Sequence, residues 1–120
     1  MVELTKVEER IMQQLWKLKK AFVKDIIEEL PDDPKPPYNT ISSVIRILVN
    51  KGYVKYKAYG KTYEYAPVIS RAEYRKAELK KIMSAYFGDS PATLVSYLVK
   101  EESLSKEEMR QLKKLIKKMQ

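Results

Sequence analysis

Several polar side chains between residues 38 and 65 have the types and spacing that nucleic-acid recognition requires. Over residues 38–50, four apolar side chains recur at helical spacing and predict one buried stripe: Ile41, Val44, Ile45 and Leu48. The opposite face carries amides, hydroxyls and a single cation: Asn39, Ser43, Arg46 and Asn50, with Ser42 beside them. Such slender side chains let a helix approach base edges closely. A solvated helix face would show the same periodicity, because periodicity indicates burial and does not identify a partner.

A basic hairpin is predicted directly after this helix. Lys51 and Gly52 are typical of a helix C-terminus, where a cation and a glycine are both favoured. Residues 53–58 alternate in polarity, Gly60-Lys61 predicts a turn, and residues 62–65 form a second strand-prone run. A helix followed by a basic hairpin is the element order of a winged helix-turn-helix, in which the helix enters the major groove and the hairpin contacts the backbone.

We therefore expect double-stranded DNA as the partner of this segment. The helix supplies the side chains expected at base edges or adjacent phosphates: Asn39, Thr40, Ser42, Ser43 and Arg46. The amide of Asn39 suits adenine and the guanidinium of Arg46 suits guanine, although Asn39 fits the N-cap of the helix equally well. The hairpin supplies the cations expected at phosphates, which position a protein without specifying sequence: Lys55, Lys57 and Lys61.

The distribution of charge supports an anionic partner. The 120-residue chain has a formal net charge of +8. Residues 35–65 contain six Lys or Arg against one Glu, whereas residues 1–34 contain six against eight acids. Positive charge in the first part of the chain is therefore concentrated on the predicted DNA-binding segment, as phosphate contacts require.

The composition excludes several other kinds of site. The chain has no Cys and no His, which removes disulfides, thiolate and imidazole metal ligands, Cys and His nucleophiles, and the usual general base. We therefore expect no enzyme activity and no cofactor. No metal is expected either, because the acids at 28, 29, 32 and 33 lack an ordered ligand spacing. There is no signal-peptide pattern and no apolar run near the ~18 residues of a membrane span, so a cytoplasmic chain without membrane contact is expected.

Two helices are predicted before the candidate recognition helix. Thr5 and Glu8 form a capping box, which predicts a helix from about Lys6. Its core stripe is Val7, Ile11, Leu15 and Leu18, and a second apolar ridge, which predicts burial rather than a stacking platform, consists of Met12 and Trp16. A short second helix over 22–30 turns four side chains inward: Phe22, Ile26, Ile27 and Leu30. A short strand near Ala21 is expected to pair with the hairpin and to make a three-stranded wing sheet.

Three further helices are predicted over residues 70–120. Capping boxes at Ser70/Glu73 and Ser105/Glu108, and the Ser90-Pro91 start, mark their beginnings. Their apolar seams predict a homodimer through Leu79, Ile82, Met83, Tyr86, Leu94, Leu98, Met109, Leu112, Ile116 and Met119. Some fifty residues cannot easily bury such seams alone, and a twofold protein suits palindromic DNA. The alternative is that the tail folds back on the first domain.

Four stretches of the chain resemble the penicillinase-repressor family, the winged-helix repressors of β-lactamase and methicillin-resistance operons and their copper-responsive relatives. The stretches are Leu4–Trp16, Tyr38–Tyr53, Tyr63–Pro67, and Phe87–Val95 with Leu104–Glu108. The resemblance runs nearly end to end and implies a dimeric DNA-binding repressor. Two departures stand out: Ile47 replaces a second arginine that many members carry, and the absence of Cys excludes the copper-sensing tail. Ile47 could instead contact a thymine methyl group.

Together these observations predict an α+β, mostly helical protein. An N-terminal winged helix-turn-helix domain is expected over 1–69 and a three-helix dimerisation tail over 70–120. The predicted function is that of a dimeric, sequence-specific transcriptional regulator, a repressor of a palindromic operator. The alternatives are a winged-helix protein–protein interaction module, or an architectural protein that binds DNA of any sequence.

Overall fold

The computed structural model describes residues 2–101 and 104–118, without the side chains at 115, 116 and 118. The elements are α1 (Lys6–Leu18), α2 (Val23–Glu29), α3 (Tyr38–Asn50), β1 (Val54–Tyr59), β2 (Thr62–Pro67), α4 (Arg71–Tyr86), α5 (Pro91–Lys100) and α6 (Lys106–Lys118). The mostly helical α+β class is confirmed. The chain divides into two compact units, Met1–Arg75 and Lys76–Gln120, and the division falls inside α4. The assignment of DNA binding to 1–69 and dimerisation to 70–120 stays a prediction.

The start of α1 is fixed by the predicted capping box. The Glu8 amide donates to Thr5 Oγ1 over 3.2 Å, and the Thr5 amide donates to Glu8 Oε1 over 2.9 Å. Glu8 is buried, and its carboxylate also accepts a 2.6 Å hydrogen bond from Lys51 Nζ at the end of α3. Burial alone raises the pKa of Glu8, but the hydrogen bonds and charge of Lys51 and the cap outweigh it, so the pKa lies below its usual value.

The first unit closes three helices over one hydrophobic core. Its centre consists of fully buried side chains from all three helices and the start of the hairpin: Ile11, Met12, Leu15, Ile26, Leu30, Ile45, Leu48 and Tyr53. Trp16 is partly buried against this core, and its indole N–H donates to the Ile69 carbonyl over 2.8 Å. The prediction that Trp16 packs inside the protein is confirmed. The placement of Val7 in the stripe was wrong: its side chain is 54% exposed, because the paired carboxylate of Glu8 occupies the inward position.

The second helix is shorter than the sequence suggests. Phe22 precedes α2, and its amide donates to Asp25 Oδ2 over 2.9 Å. Phe22 is half-buried, and the inward position at the start of the helix belongs to Val23 instead. The expected pairing near Ala21 is present only as a single bridge, in which Ala21 and Tyr65 exchange backbone hydrogen bonds of 2.9 and 2.8 Å. The sheet of the described residues has two strands, so the expected third strand was wrong.

Helix α3 is attached to the core by Ile41, Ile45 and Leu48. It begins at Tyr38 with Pro37 as the N-cap residue, so the alternative that Asn39 caps the helix is wrong. The Thr40 and Ile41 amides donate to the Pro37 carbonyl over 3.2 and 3.3 Å, so this carbonyl accepts the first hydrogen bonds of the helix.

The hairpin β1–β2 forms the wing next to α3. Its antiparallel register pairs Tyr56 with Tyr65, Lys57 with Glu64 and Tyr59 with Thr62. The two-residue turn places Gly60 at a φ of 62°, a position where the hairpin twist favours glycine. The predicted turn at Gly60-Lys61 is confirmed.

The local starts and ends of the C-terminal helices also agree with the sequence. The Ser70 and Ser105 boxes form, with hydrogen bonds of 3.0–3.2 Å to Glu73 and Glu108. Ser90 Oγ accepts from the Thr93 amide over 3.2 Å at the start of α5. After α4, Gly88 takes a φ of 57°, and the Asp89 amide donates to the Met83 carbonyl over 3.0 Å.

The predicted seam residues of the tail differ sharply in burial. Met83 is buried, whereas Leu79, Ile82 and Tyr86 are 49%, 46% and 77% exposed. The remaining described seam side chains are half-buried: Leu94, Leu98, Met109 and Leu112. The side chain of Ile116 and all of Met119 lie outside the described residues. The single chain therefore leaves much of the α4 seam uncovered.

Candidate nucleic-acid interface

The surface of α3 divides into an outward face and two flanks. At about 100° per residue, Asn39, Ser43 and Asn50 lie directly opposite the buried stripe, and all three are exposed. Thr40 and Ile47 share the flank away from the wing, where Ile47 is 44% exposed. These three side chains are short and polar, and the longer Arg46 lies at the edge of this face toward the wing, so the helix can approach a partner closely.

The other flank of α3 forms one wall of a groove whose opposite wall is the wing. The groove has a volume of about 390 Å³. Its lining residues are Val23, Tyr38, Ser42, Arg46, Val49, Asn50, Tyr56, Lys61, Tyr63 and Tyr65. The groove thus brings together three of the predicted contacts, two from the helix and one from the turn of the wing. None of its lining residues is acidic.

Tyrosine rings form the wing's side of this groove. The ring centroids of Tyr56 and Tyr63 are 4.8 Å apart, and the Tyr65 ring lies 6.3 Å from each. Burial raises the pKa of the Tyr65 phenol, as do the neighbouring tyrosines, while the charge of Arg46 partly opposes the shift. Tyr65 therefore keeps its proton and its capacity to donate a hydrogen bond.

The two remaining wing lysines lie on the other face of the hairpin. Because side chains alternate along β1, Lys55 and Lys57 point away from the face that carries Tyr56. Lys57 Nζ lies 5.3 Å above the centroid of the Tyr59 ring, and its strand partner is Glu64. The structure therefore separates the predicted phosphate contacts into Lys61 at the groove and a lysine pair behind it.

Sequence reasoning missed the groove's tyrosines as site residues. Tyr38, Tyr56 and Tyr63 are 54%, 54% and 45% exposed, although large aromatic side chains are usually buried. The available signal was the abundance of tyrosine, nine in 120 residues, concentrated within and beside the basic hairpin. Alternation alone could not show that one tyrosine face turns toward α3.

Two of the acids before α3 form ion pairs. Arg10 donates to the carboxylate of Asp32, and Lys17 pairs with Glu29 over 2.7 Å. The hydrogen bond from Arg10 holds the pKa of Asp32 below its usual value against the effect of desolvation. Among residues 2–101 and 104–118, no cluster of acidic side chains is arranged to hold a metal ion. In the same part of the chain, no helix is long and apolar enough to cross a membrane.

Comparison with protein families decides what this architecture belongs to. The model of the penicillinase repressor family matches residues 4–118. The chain belongs to this family. Like the other members of the family, it is a DNA-binding transcriptional repressor, and it is not an enzyme. The family resemblance inferred from the sequence is confirmed.

Individual relatives match this repressor over nearly its whole length. The methicillin resistance regulatory protein MecI of Staphylococcus aureus is 25% identical over 116 residues, which cover 97% of this chain and 94% of the relative. The penicillinase repressor of Bacillus licheniformis is 20% identical over 114 residues, which cover 95% and 89%.

Solved structures support the fold. The DNA-binding domain of the repressor BlaI matches with a TM-score of 0.52 and 24% identity over 60% of this chain and 88% of that domain. Halobacterial RosR (H. salinarum) matches with a TM-score of 0.52 and 23% identity over 84% of this chain and 94% of its own. At these identities the likeness establishes the winged-helix fold and no residue's role.

Proposed function

We propose that this repressor binds a palindromic operator as a homodimer, with α3 in the major groove and the β1–β2 wing on the backbone. The observation that carries the proposal is the juxtaposition around α3. An outward face of short polar side chains lies beside a groove that holds two cations and no acid. This combination suits close approach to base edges next to phosphates.

The outward face is the proposed source of sequence specificity. Asn39, whose side chain is free of a capping role, can donate to and accept from an adenine edge. Ser43 lies one turn further along, and Thr40 and Ile47 on the flank are placed for a neighbouring base or a thymine methyl. Ser42 and Arg46 stand at the boundary between this face and the groove.

The wing is the proposed source of sequence-independent affinity. Lys55 and Lys57 lie together on one face of the hairpin, and Lys61 lies at its turn. Backbone contacts by lysine fix the position of a protein on DNA, and their strength falls as salt rises.

The dimer is proposed from the second unit. Exposed Leu79, Ile82 and Tyr86 on α4, and the half-buried apolar side chains of α5 and α6, form a surface that a second copy would cover. Apolar patches of this kind on a small chain mark an interface. A homodimer also matches the twofold symmetry of a palindromic operator. Cytoplasmic localisation is part of the same proposal, since a DNA-binding regulator acts there.

A selection experiment separates this proposal from its alternatives. The full chain is used to enrich duplexes from a random pool, and the enriched and unselected duplexes are then titrated at two salt concentrations. We expect an enriched palindrome that binds at least about 10³-fold more tightly than random DNA, with weaker binding to both at higher salt. Equal affinity for all duplexes would indicate an architectural protein. Absence of DNA binding would leave a protein–protein module.

A further inference from the structure

The groove between α3 and the wing contains tyrosines to which the proposed DNA contacts assign no role. It combines two cations from two different elements, Arg46 and Lys61, with phenols from four tyrosines. Within the described chain, neither Arg46 nor Lys61 forms an ion pair. A basic groove without an internal anion attracts one from solution.

The tyrosines give the groove a polar lining as well as a rigid wall. The contacts among the Tyr56, Tyr63 and Tyr65 rings hold their planes in place. These tyrosines and Ser42 are among the residues that line the groove, and each has a hydroxyl that can donate a hydrogen bond. Donors that are already ordered lose little entropy when an anion binds.

The chemistry of the lining selects the class of anion. A guanidinium and an ammonium accompanied by several hydroxyls match the oxygens of a phosphate group, which accepts from several directions at once. The volume of about 390 Å³ and the opening to solvent allow one such group to enter while it remains attached to a longer molecule.

We propose that this groove is a binding site, or seat, for a single phosphate group. The phosphate is held between Arg46 and Lys61 against the rings of Tyr56, Tyr63 and Tyr65, which we call the tyrosine wall. Where the phosphate belongs to the DNA backbone, the proposal rests on the proposed function, and the seat joins the recognition helix and the wing through one shared ligand. A free phosphate offers the same chemistry without DNA. The seat assigns Arg46 to affinity and not to the choice of a base.

A double-substitution cycle tests whether Arg46 and Lys61 hold the same phosphate. In the full-length protein, we expect Arg46→Ala or Lys61→Ala to weaken binding about tenfold per protomer, equally on selected and random duplexes. The double variant should lose little more than either single one, because both changes break the same contact. Losses that multiply would rule out a shared backbone phosphate, and an Arg46→Ala variant that relaxes base preference would overturn the assignment of Arg46 to affinity.

Lys57 supplies the matched control. It is an exposed lysine of the same hairpin, but it lies on the face away from the groove. The losses from Arg46→Ala and Lys57→Ala should therefore multiply, as expected for cations on different phosphates. Tyr63→Phe, which keeps the ring contact and removes only the hydroxyl, should weaken binding roughly threefold. No loss from Tyr63→Phe would contradict the role of the tyrosine wall.

Inorganic phosphate tests the seat without DNA and identifies the source of the anion. At constant ionic strength, phosphate is titrated into the DNA-free protein while the amide resonances of Ser42, Lys61 and Lys57 are followed. Saturable shifts at Ser42 and Lys61, but not at Lys57, that vanish in the Arg46→Ala/Lys61→Ala variant support a seat open to free phosphate. A non-additive cycle on DNA without such shifts supports a seat for the backbone phosphate alone.

These two measurements also separate the seat from the proposed function. Failure of the protein to bind any duplex, together with saturable phosphate shifts, would refute the DNA-binding role and leave the seat standing. Additive losses on DNA together with absent phosphate shifts would refute the seat and leave the DNA-binding role standing.

Discussion

The two units of this repressor differ in how completely they bury their apolar side chains. In the first unit, three helices and a hairpin bury side chains such as Ile11, Ile45 and Tyr53 to 1% exposure or less. In the described part of the second unit, the most buried apolar side chain is Met83, at 9% exposure, and Tyr86 is 77% exposed. The first unit has a core of its own, whereas the described part of the second unit leaves much of its apolar surface exposed.

The difference lies in how the elements of each unit pack. In the first unit, α1, α2 and α3 all contribute to one core, and the indole of Trp16 ties it to Ile69 just before α4. In the second unit, α6 is strongly amphipathic, with Met109 and Leu112 on one side and a basic row on the other: Arg110, Lys113, Lys114 and Lys117. A short amphipathic helix is stabilised mainly by what covers its apolar face. The comparison therefore predicts large effects of surface substitutions in the second unit on assembly.

The largest effect is expected from a charge placed in the proposed dimer seam. Leu112→Asp would bury an unpaired carboxylate in the interface, so the protein should become monomeric. Each monomer would then lose the effective concentration that its partner supplies, and operator affinity should fall about 10²–10⁴-fold. Sedimentation and operator titration measure the two effects.

Gln111→Asp is the control for the seam substitution. It adds the same charge to the neighbouring exposed position of α6. This variant should remain dimeric and bind the operator as the unchanged protein does. If the unsubstituted protein is monomeric, or if the two substitutions have equal effects, the proposed dimer seam in the second unit would be contradicted.

The next largest effect is expected in the core of the first unit. Leu48→Ala removes a fully buried side chain of α3 and should destabilise the fold by about 2–5 kcal/mol. Ile47→Ala, one residue away at a 44% exposed position, should change stability by less than about 0.5 kcal/mol. Denaturant unfolding compares the two variants, and similar losses of stability would show that the first unit lacks the closed core described above.

A smaller effect is expected at the outward face of α3. Asn39→Ala should cost about 1–3 kcal/mol on the selected operator and little on random DNA, because it removes a base contact. Lys57→Ala should weaken binding to both duplexes alike, because phosphate contacts carry no sequence information. Competition titrations on the two duplexes distinguish these outcomes, and a uniform loss from Asn39→Ala would contradict its proposed role.

The smallest effect concerns the Glu8–Lys51 pair that joins α1 to the end of α3. Because the folded-state pKa of Glu8 is depressed, its contribution is complete above the ordinary value of 4.5 and is lost as pH falls through the lower folded-state pKa. Glu8→Gln should therefore lower stability near neutral pH, on the order of 1 kcal/mol, with the difference disappearing in acid. Thermal unfolding across this range measures it. A difference that grows as pH falls would reverse the assigned sign, and Glu9→Gln serves as the control.

Local chemistry explains why helix starts could be predicted from sequence. The Thr5, Ser70 and Ser105 boxes each depend on residues three apart, and all three form as expected. The same locality explains the turn at Gly60 and the stop at Gly88, where a positive φ favours glycine. These signals need no knowledge of the tertiary fold.

The misplacements have long-range causes. Glu8, and not Val7, is buried, and its carboxylate pairs with Lys51. Because Lys51 lies 43 residues further along the chain, the local spacing of residues could not indicate this pair. Likewise, the tyrosine wall could not be predicted, because the face of the wing that turns toward α3 depends on packing and on the bridge between Ala21 and Tyr65. The roles of the predicted DNA-binding and dimerisation residues stay predictions.

The most direct test of the two-unit account compares one selected palindrome with the same duplex in which one half-site is scrambled. If the first unit contacts DNA and the second joins two copies, the full-length repressor should bind the intact palindrome at least about 10²-fold more tightly, with two chains per duplex. Equal affinity for the two duplexes, with one chain bound to each, would contradict the account.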